Sequence, residues 1–275
     1  MNGTPAVLPE GPARGALSAI RRGMRMSARQ LRYEQLSFWR NPVGGIFTIG
    51  FSVVFLVLLG SSSGDSRISY LGNIRQVAYY VPGFAAYGVM AACFNTLAIT
   101  VVVRREMGLL KRIRLSPLPA WAMLASLFAN AVIVSALQVA VLVVIGRVGY
   151  GVGFPHNIAA FVVVLVVGAV TFTSLGVAMS TAIPNQDAAG PITAIVFFVL
   201  LFLSGLWYPL KAGSALAKIS AWFPVRHLIV GVFRAFTARR GVSPWPWHDI
   251  VIMVVWGVAG SVFAVRRFRW EPHRT

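Results

Sequence analysis

Six apolar stretches recur along the 275 residues, approximately Val43–Gly60, Ala78–Val103, Ala120–Gly146, Ile158–Thr181, Pro191–Tyr208 and Ile250–Val265. A membrane-crossing helix needs about 20 apolar residues, roughly 17 to 25, and all six approach that length. The chain is therefore expected to be an all-α integral membrane protein with six transmembrane helices. Composition agrees: 57% of residues are hydrophobic and only 12% charged, too apolar for an ordinary soluble globule. The formal net charge of +18 would suit a nucleic-acid binder, but the basic residues are dispersed between apolar spans without a stacking or groove-reading module. Anionic lipid headgroups and a cytosolic partner are the expected counter-charges, and no nucleic acid. The single cysteine, Cys93, excludes an intrachain disulfide.

The distribution of arginine orients the spans. Leu17, Ile20, Met24, Ala28, Leu31 and Phe38 follow helical spacing, with Arg21, Arg22, Arg25, Arg29 and Arg32 around the remaining surface, as in a helix lying on a membrane. Arginines also crowd Arg104–Arg114 and the tail at Arg266, Arg267 and Arg269. An even number of spans puts all three on one side, which the positive-inside rule makes the cytoplasm. The expected divisions are a disordered tail at 1–16, an amphipathic interfacial helix at 17–42, the six-span domain at 43–265 and a basic cytoplasmic tail at 266–275. Both termini are then cytoplasmic. Residues 1–12 lack the basic-then-apolar order of a signal peptide.

One segment runs against the rule. Pro209–Asp249 carries Lys211, Lys218, Arg226, Arg234, Arg239 and Arg240 on the expected outer side. Within it Leu228, Ile229, Val232, Phe233 and Phe236 form one apolar helical face, too short and too charged to span. It is expected to be an outer interfacial or re-entrant helix between spans five and six, followed by anchoring Trp245 and Trp247.

What the spans lack narrows the function. None holds an Asp, Glu, Lys, Arg or His in its interior, whereas ion-coupled transporters and proton relays need ionisable groups at membrane depth. Their uncharged polar residues, among them Asn95, Thr96, Thr100, Asn130, Ser135, Gln138, Thr171, Thr173 and Ser174, suit contacts between helices. Gly60-Ser61-Ser62-Ser63-Gly64 matches a nucleophile elbow in letters only, because it closes a membrane helix rather than a strand-to-helix turn. The four histidines, His156, His227, His248 and His273, fall in loops or the tail, and none forms a metal-ligand spacing. No catalytic residue and no metal site is expected. None of the three lysines follows a G-x-x-x-x-G loop, so ATP hydrolysis would have to come from another subunit.

The stretch Arg104–Pro119, RREMGLLKRIRLSPLP, sits between two spans. Met107, Leu110 and Ile113 recur at helical spacing while Arg105 and Arg112 fall on another face, which fits a short amphipathic helix ended by Ser116-Pro117-Leu118-Pro119. It reads either as a coupling element offered to a partner or as a loop whose charges only set topology. Glu106 has no charged residue three or four positions away, so its carboxylate is expected to be unpaired within its own helix. It would cap backbone amides, be solvated, or meet an arginine outside the loop.

The run Arg105-Glu106-Met107-Gly108-Leu109-Leu110 through Pro117-Leu118-Pro119 resembles the Arg-Glu-x-Gly-x-Leu…Pro-Leu-Pro signature of type-2 ATP-binding-cassette export permeases. A second block is similar: Asn185-Gln186-Asp187-Ala188-Ala189, Leu203-Ser204-Gly205-Leu206-Trp207-Tyr208-Pro209, Phe223-Pro224 and Arg234. Phe223 departs from the family, which more often has Asn before the proline. The resemblance implies a non-catalytic permease subunit in a bacterial plasma membrane, moving an amphiphilic drug, lipid or glycan out of the cell. It would pair with a second permease copy or paralogue and dock on two ATP-binding subunits, which bind ATP and magnesium; this chain would need no cofactor. It also implies that Arg105, Glu106, Gly108, Leu109, Leu110, Lys111, Arg112, Arg114 and Pro117 couple to the ATPase. Ser204, Gly205 and Pro209 would form an outer gate. Phe84, Tyr87, Phe94 and Asn95 of the second span and Phe197, Phe198 and Phe202 of the fifth either line a substrate cavity or pack the core. The other reading of the whole chain is a non-transport membrane scaffold that anchors a cytosolic partner.

Overall fold

The computed structural model describes residues 12–40, 46–109, 120–210, 213–237, 243 and 245–267. Helix α1 runs Pro12–Arg40. A π-helical turn at Ile46–Gly50 leads into α2, Phe51–Ser63. A small antiparallel ribbon pairs β1, Arg67–Ile68, with β2, Ile74–Arg75. Helix α3, Gln76–Glu106, is continuous through a π-helical segment at Ala91–Thr96. Then come α4, Ala120–Tyr150, α5, Ile158–Ala182, and α6, Gln186–Ser204. The short α7, Ala215–Ser220, precedes α8, Pro224–Phe236, and α9, Trp247–Arg267.

The chain is an all-α membrane protein apart from that ribbon. Five described helices are long and apolar enough to cross a bilayer: α3, Ala122–Tyr150 of α4, α5, α6 and α9. The apolar helix in the first expected span, Thr48–Ser63, is shorter, and residues 41–45 before it lie outside the described residues. Helix α1 begins at Pro12 rather than at Leu17, so residues 12–16 are helical where a tail was expected. Proline suits the first turn of a helix, where its missing amide would have had no partner anyway.

Helix α3 is the axis of the bundle. In its most apolar window 72% of residues are buried, against 28% for α6, and α2, α4, α5 and α8 all pack on it. The crossing of α5 over the π segment depends on Gly176: a Cβ there would stand 2.9 Å from the carbonyl oxygen of Cys93 and 3.0 Å from that of Phe94. Polar side chains link other pairs, as expected of intramembrane hydroxyls and amides. Thr171 donates to the Met253 carbonyl across α5 and α9 at 2.9 Å, and Gln138 of α4 donates to Ser52 of α2 at 2.5 Å.

Helix α8 does not lie on a surface. Its apolar face and also Pro224, His227, Gly231 and Ala235 are buried, with α3, α5, α6 and α9 around it. The bundle thus holds α8 among its helices rather than on its exterior. Four neighbouring helices offer far more apolar surface than one amphipathic stripe can use, so nearly the whole circumference is covered.

Candidate coupling site and gate

The Arg-Glu-x-Gly run forms the end of α3. The helix stops at Glu106, Met107 donates its amide to Val103, and Gly108 adopts φ +68° while donating to the Arg105 carbonyl at 3.0 Å. That left-handed conformation is cheap only for a residue without a Cβ, which explains glycine in the motif. Met107 and Leu109 are exposed beyond the last turn, at 63% and 40%. Leu110, Lys111, Arg112, Arg114 and Pro117 lie outside the described residues, as does the amphipathic helix expected there.

Arg104 and Arg105 are adjacent but point to different helices. Arg105 is 3% exposed. Its guanidinium donates to the carbonyls of Ser180 at 3.1 Å, Ile183 at 2.7 Å and Pro184 at 3.3 Å. Those groups belong to the end of α5 and the turn after it, where carbonyls have no intrahelical partner. Asn185 then caps α6, its side chain accepting from the Ala188 amide at 2.9 Å. The two blocks of the sequence signature thus meet at one junction, with Arg105 of the first holding the turn that enters the second.

Arg104 instead forms a two-pronged ion pair with Glu34 of α1, at 2.6 and 2.5 Å, and Gln30 donates to the same carboxylate at 2.9 Å. Glu34 is 6% exposed. With Ser27 donating to the Ala122 carbonyl and Gln35 to Asn130, it fixes α1 against the Glu106 end of α3 and the first turns of α4. Sequence reasoning passed over Glu34, although a lone acid on an arginine-rich helix is a signal that a specific partner exists.

Glu106 is not unpaired. Arg105 donates to it through Nε at 3.0 Å. Helical spacing considers residues three and four apart, but a long arginine side chain fixed by other acceptors can also reach its neighbour. The buried ionisable groups Arg105, in the last turn of α3, and Asp249, in the first turn of α9, flank the expected spans rather than enter their interiors.

At the opposite end of α3, Tyr79 donates its hydroxyl to the Gly205 carbonyl at 2.5 Å. Gly205 has φ +79° and follows Ser204, whose Oγ accepts from the Leu206 amide at 3.0 Å. Of the expected gate residues, Gly205 is thus clasped by the central helix, while Ser204 braces the turn from within. Beside them lies a charged cluster that no sequence pattern indicated. His227 Nδ1 lies 2.7 Å from Asp249 Oδ1 and its Nε2 lies 2.8 Å from the Ala221 carbonyl oxygen. Both partners are acceptors, so both contacts are hydrogen bonds only when both ring nitrogens carry a proton. Arg234 approaches the other Asp249 oxygen at 3.4 Å, and the His248 ring stands edge-on to His227. His227, His248 and Asp249 offer ligand atoms close enough for a metal ion. Arg234 sets a permanent cation beside the carboxylate such an ion would need, which disfavours a metal there.

The aromatic candidates do not converge on one space. Phe84, Tyr87, Phe94 and Phe197 are buried, and Phe84, Tyr87 and Phe197 join Phe51, Phe55 and Trp207 in a chain of ring contacts. Phe198 and Phe202 face outward from α6, at 50% and 57% exposure. Asn95 has a buried Oδ1 with no hydrogen-bond partner among the described residues.

A family model described as ABC-2 type transporter matches residues 29–237. The chain is 26% identical over 213 residues to a transport permease of Bacillus subtilis (strain 168), YvfS, covering 77% of this chain and 82% of that one. It is 23% identical over 159 residues to a multidrug ABC transporter permease of Escherichia coli (strain K12), YbhR. That match covers 58% of this chain and 43% of the relative, so it spans less than half of the latter's length.

Proposed function

The chain belongs to the ABC-2 type transporter family, and from that premise we propose that it exports an amphiphilic compound across a bacterial plasma membrane. It is a multi-pass permease that works with an ATP-binding subunit. In the proposed complex two permease chains sit on two ATPase subunits, which hold ATP and magnesium, with the Arg104–Gly108 end of α3 facing the cytoplasm. This chain would contribute no cofactor and no catalytic group of its own. The outward apolar face of α6 with Phe198 and Phe202 supports contact with lipid or with the second permease.

The observation that carries the reading is that one continuous helix joins both ends of the bundle. At Arg105 it is bonded to the α5–α6 turn, and at Tyr79 to Gly205 after α6. Closure of the ATPase pair against the loop after Gly108 would push on Glu106. A rigid α3, which rises about 1.5 Å per residue, carries that displacement along its length to Tyr79 rather than absorbing it locally. The buried Arg105 makes the α5–α6 turn follow, because breaking its bonds would leave a desolvated charge.

Co-reconstitution with the cognate ATPase in liposomes tests this. ATP-driven movement of a fluorescent amphiphile is expected, with Tyr79→Phe keeping ATP hydrolysis but slowing transport by about threefold to tenfold, the worth of one buried hydrogen bond. An ATPase that binds the chain yet moves no amphiphile from a broad panel would instead favour the scaffold.

A further inference from the structure

Between Tyr79, the turn after α6 and one face of α8 the structure holds a cavity of about 400 Å³ that also includes Gly205 and Pro209. This lies within the roughly 300–1,000 Å³ of small-ligand sites. Arg226, Val230 and Arg234 are spaced four apart, share one face of α8, and all three line it. Leu71, Leu210, Ile229 and Phe233 supply much of the remaining wall. The cavity is therefore amphipathic, with two guanidinium groups set among apolar side chains.

Its charge is poorly balanced. Arg226 donates to the neutral Ser220 hydroxyl at 3.1 Å, and no carboxylate pairs with it among the described residues. Arg234 has only the 3.4 Å approach to Asp249, whose other oxygen serves His227. The one carboxylate near the cavity thus meets Arg234 and His227 and leaves Arg226 without an anionic partner among the described residues. Positive groups drawn partly out of water are costly without a counter-anion, and guanidinium suits a two-pronged anion better than any other cation of proteins. A second observation agrees: the sequence segment Pro209–Asp249, which supplies Arg226 and Arg234, carries six basic residues against the charge bias expected of the rest of the chain.

We propose that this cavity receives the anionic head group of a single-tailed amphiphile, the guanidiniums taking the head and the aliphatic wall the first part of the tail. The proposal deepens the export reading by naming a substrate class, and rests on it only for the direction of travel. The Asp249 carboxylate competes with the ligand for Arg234. Releasing that competition tightens binding, which a merely structural cluster would not do.

The test is equilibrium binding of radiolabelled dodecyl phosphate to the full chain in phosphatidylcholine nanodiscs, with dodecyl maltoside and inorganic phosphate as competitors. Saturable binding is expected, displaced by neither competitor. Arg226→Gln and Arg234→Gln should each weaken it about tenfold, and Asp249→Asn should tighten it about threefold, as charge-assisted hydrogen bonds are lost or freed. Val230→Glu sets a carboxylate between the two arginines without replacing either, occupies them as an internal anion and should abolish binding, which covers the case of an arginine variant that fails to fold. Equal displacement by dodecyl maltoside, or by inorganic phosphate, would overturn the proposal. So would complete displacement by phosphatidylglycerol in the disc, which would make the cavity a seat for bulk lipid. Because no nucleotide or ATPase is present, failure here leaves the permease reading intact, and failed transport with binding preserved sinks only the latter.

Discussion

At the Glu106 end of α3 two adjacent arginines find acceptors in full, Arg104 on Glu34 and Arg105 on three carbonyls and Glu106. At the Gln76 end Arg226 has a hydroxyl, and Arg234 shares Asp249 with a histidine. The first arrangement resembles a weld and the second an unfilled socket. A desolvated, fully satisfied guanidinium fixes the relative position of the helices that satisfy it, since any displacement strands a charge. A cation with incomplete pairing retains capacity for a ligand. In the proposed export mechanism, force transmission would need the first property and substrate recognition the second, and α3 connects the two.

The contrast can be broken most severely at Arg105. Arg105→Met keeps the aliphatic volume but leaves the carbonyls of Ser180, Ile183 and Pro184 without their donor, and should cost about 3–5 kcal/mol, in the range for breaking a buried charged network. Thermal unfolding of the detergent-solubilised chain measures this. Arg105→Lys should recover only part of it, because an ammonium group cannot present the same planar fork. Unchanged stability in both would show that the junction is held by packing alone.

A smaller loss is expected at the other end. His227→Ala removes one partner of buried Asp249 and leaves Arg234 as the other, so about 2 kcal/mol is expected, the cost of an incompletely paired buried acceptor. A loss as large as that of Arg105→Met in the same unfolding measurement would erase the distinction between the two ends.

The smallest effect belongs to Glu106. Its bond to Arg105 adds a fourth acceptor to a group that already has three, and Glu106→Gln retains an oxygen that can accept from Nε. Less than about 1 kcal/mol should be lost, as for pairs of low marginal worth, with assembly on the ATPase and transport near normal. Loss of assembly with normal stability would instead give Glu106 a direct role at the partner surface.

Much of the architecture was legible because membrane insertion is decided locally. Each apolar stretch satisfies the length and composition demanded by the bilayer independently of the others, so α3 to α6 and α9 could be placed one by one. The Arg-Glu-x-Gly run stands out as a motif, but its turn does not: the spacing puts Met107 in an amphipathic helix, whereas Met107 and the left-handed Gly108 form the turn that ends α3. The aromatic residues of α3 and α6 were different, since periodicity alone does not say whether a ring faces a cavity or another ring. Phe84 packs against Trp207 and Tyr87 while Phe202 faces outward, a distinction set by where α2 and the turn after α6 come to rest.

The sequence by itself determined a multi-pass helical membrane protein, the positions of its long spans, the run at which α3 ends and the kinship of its motifs. Each of these depends on neighbours within about two dozen residues, the length of one span. Only the tertiary structure decided that Arg104 meets Glu34, that Arg105 holds the turn between α5 and α6, that α8 is buried among four helices, and that Asp249 divides itself between His227 and Arg234. In those contacts the partners lie far apart along the chain. Their pairing follows from how apolar helices pack side by side, which brings polar groups at the helix ends within reach of acceptors that no local pattern records.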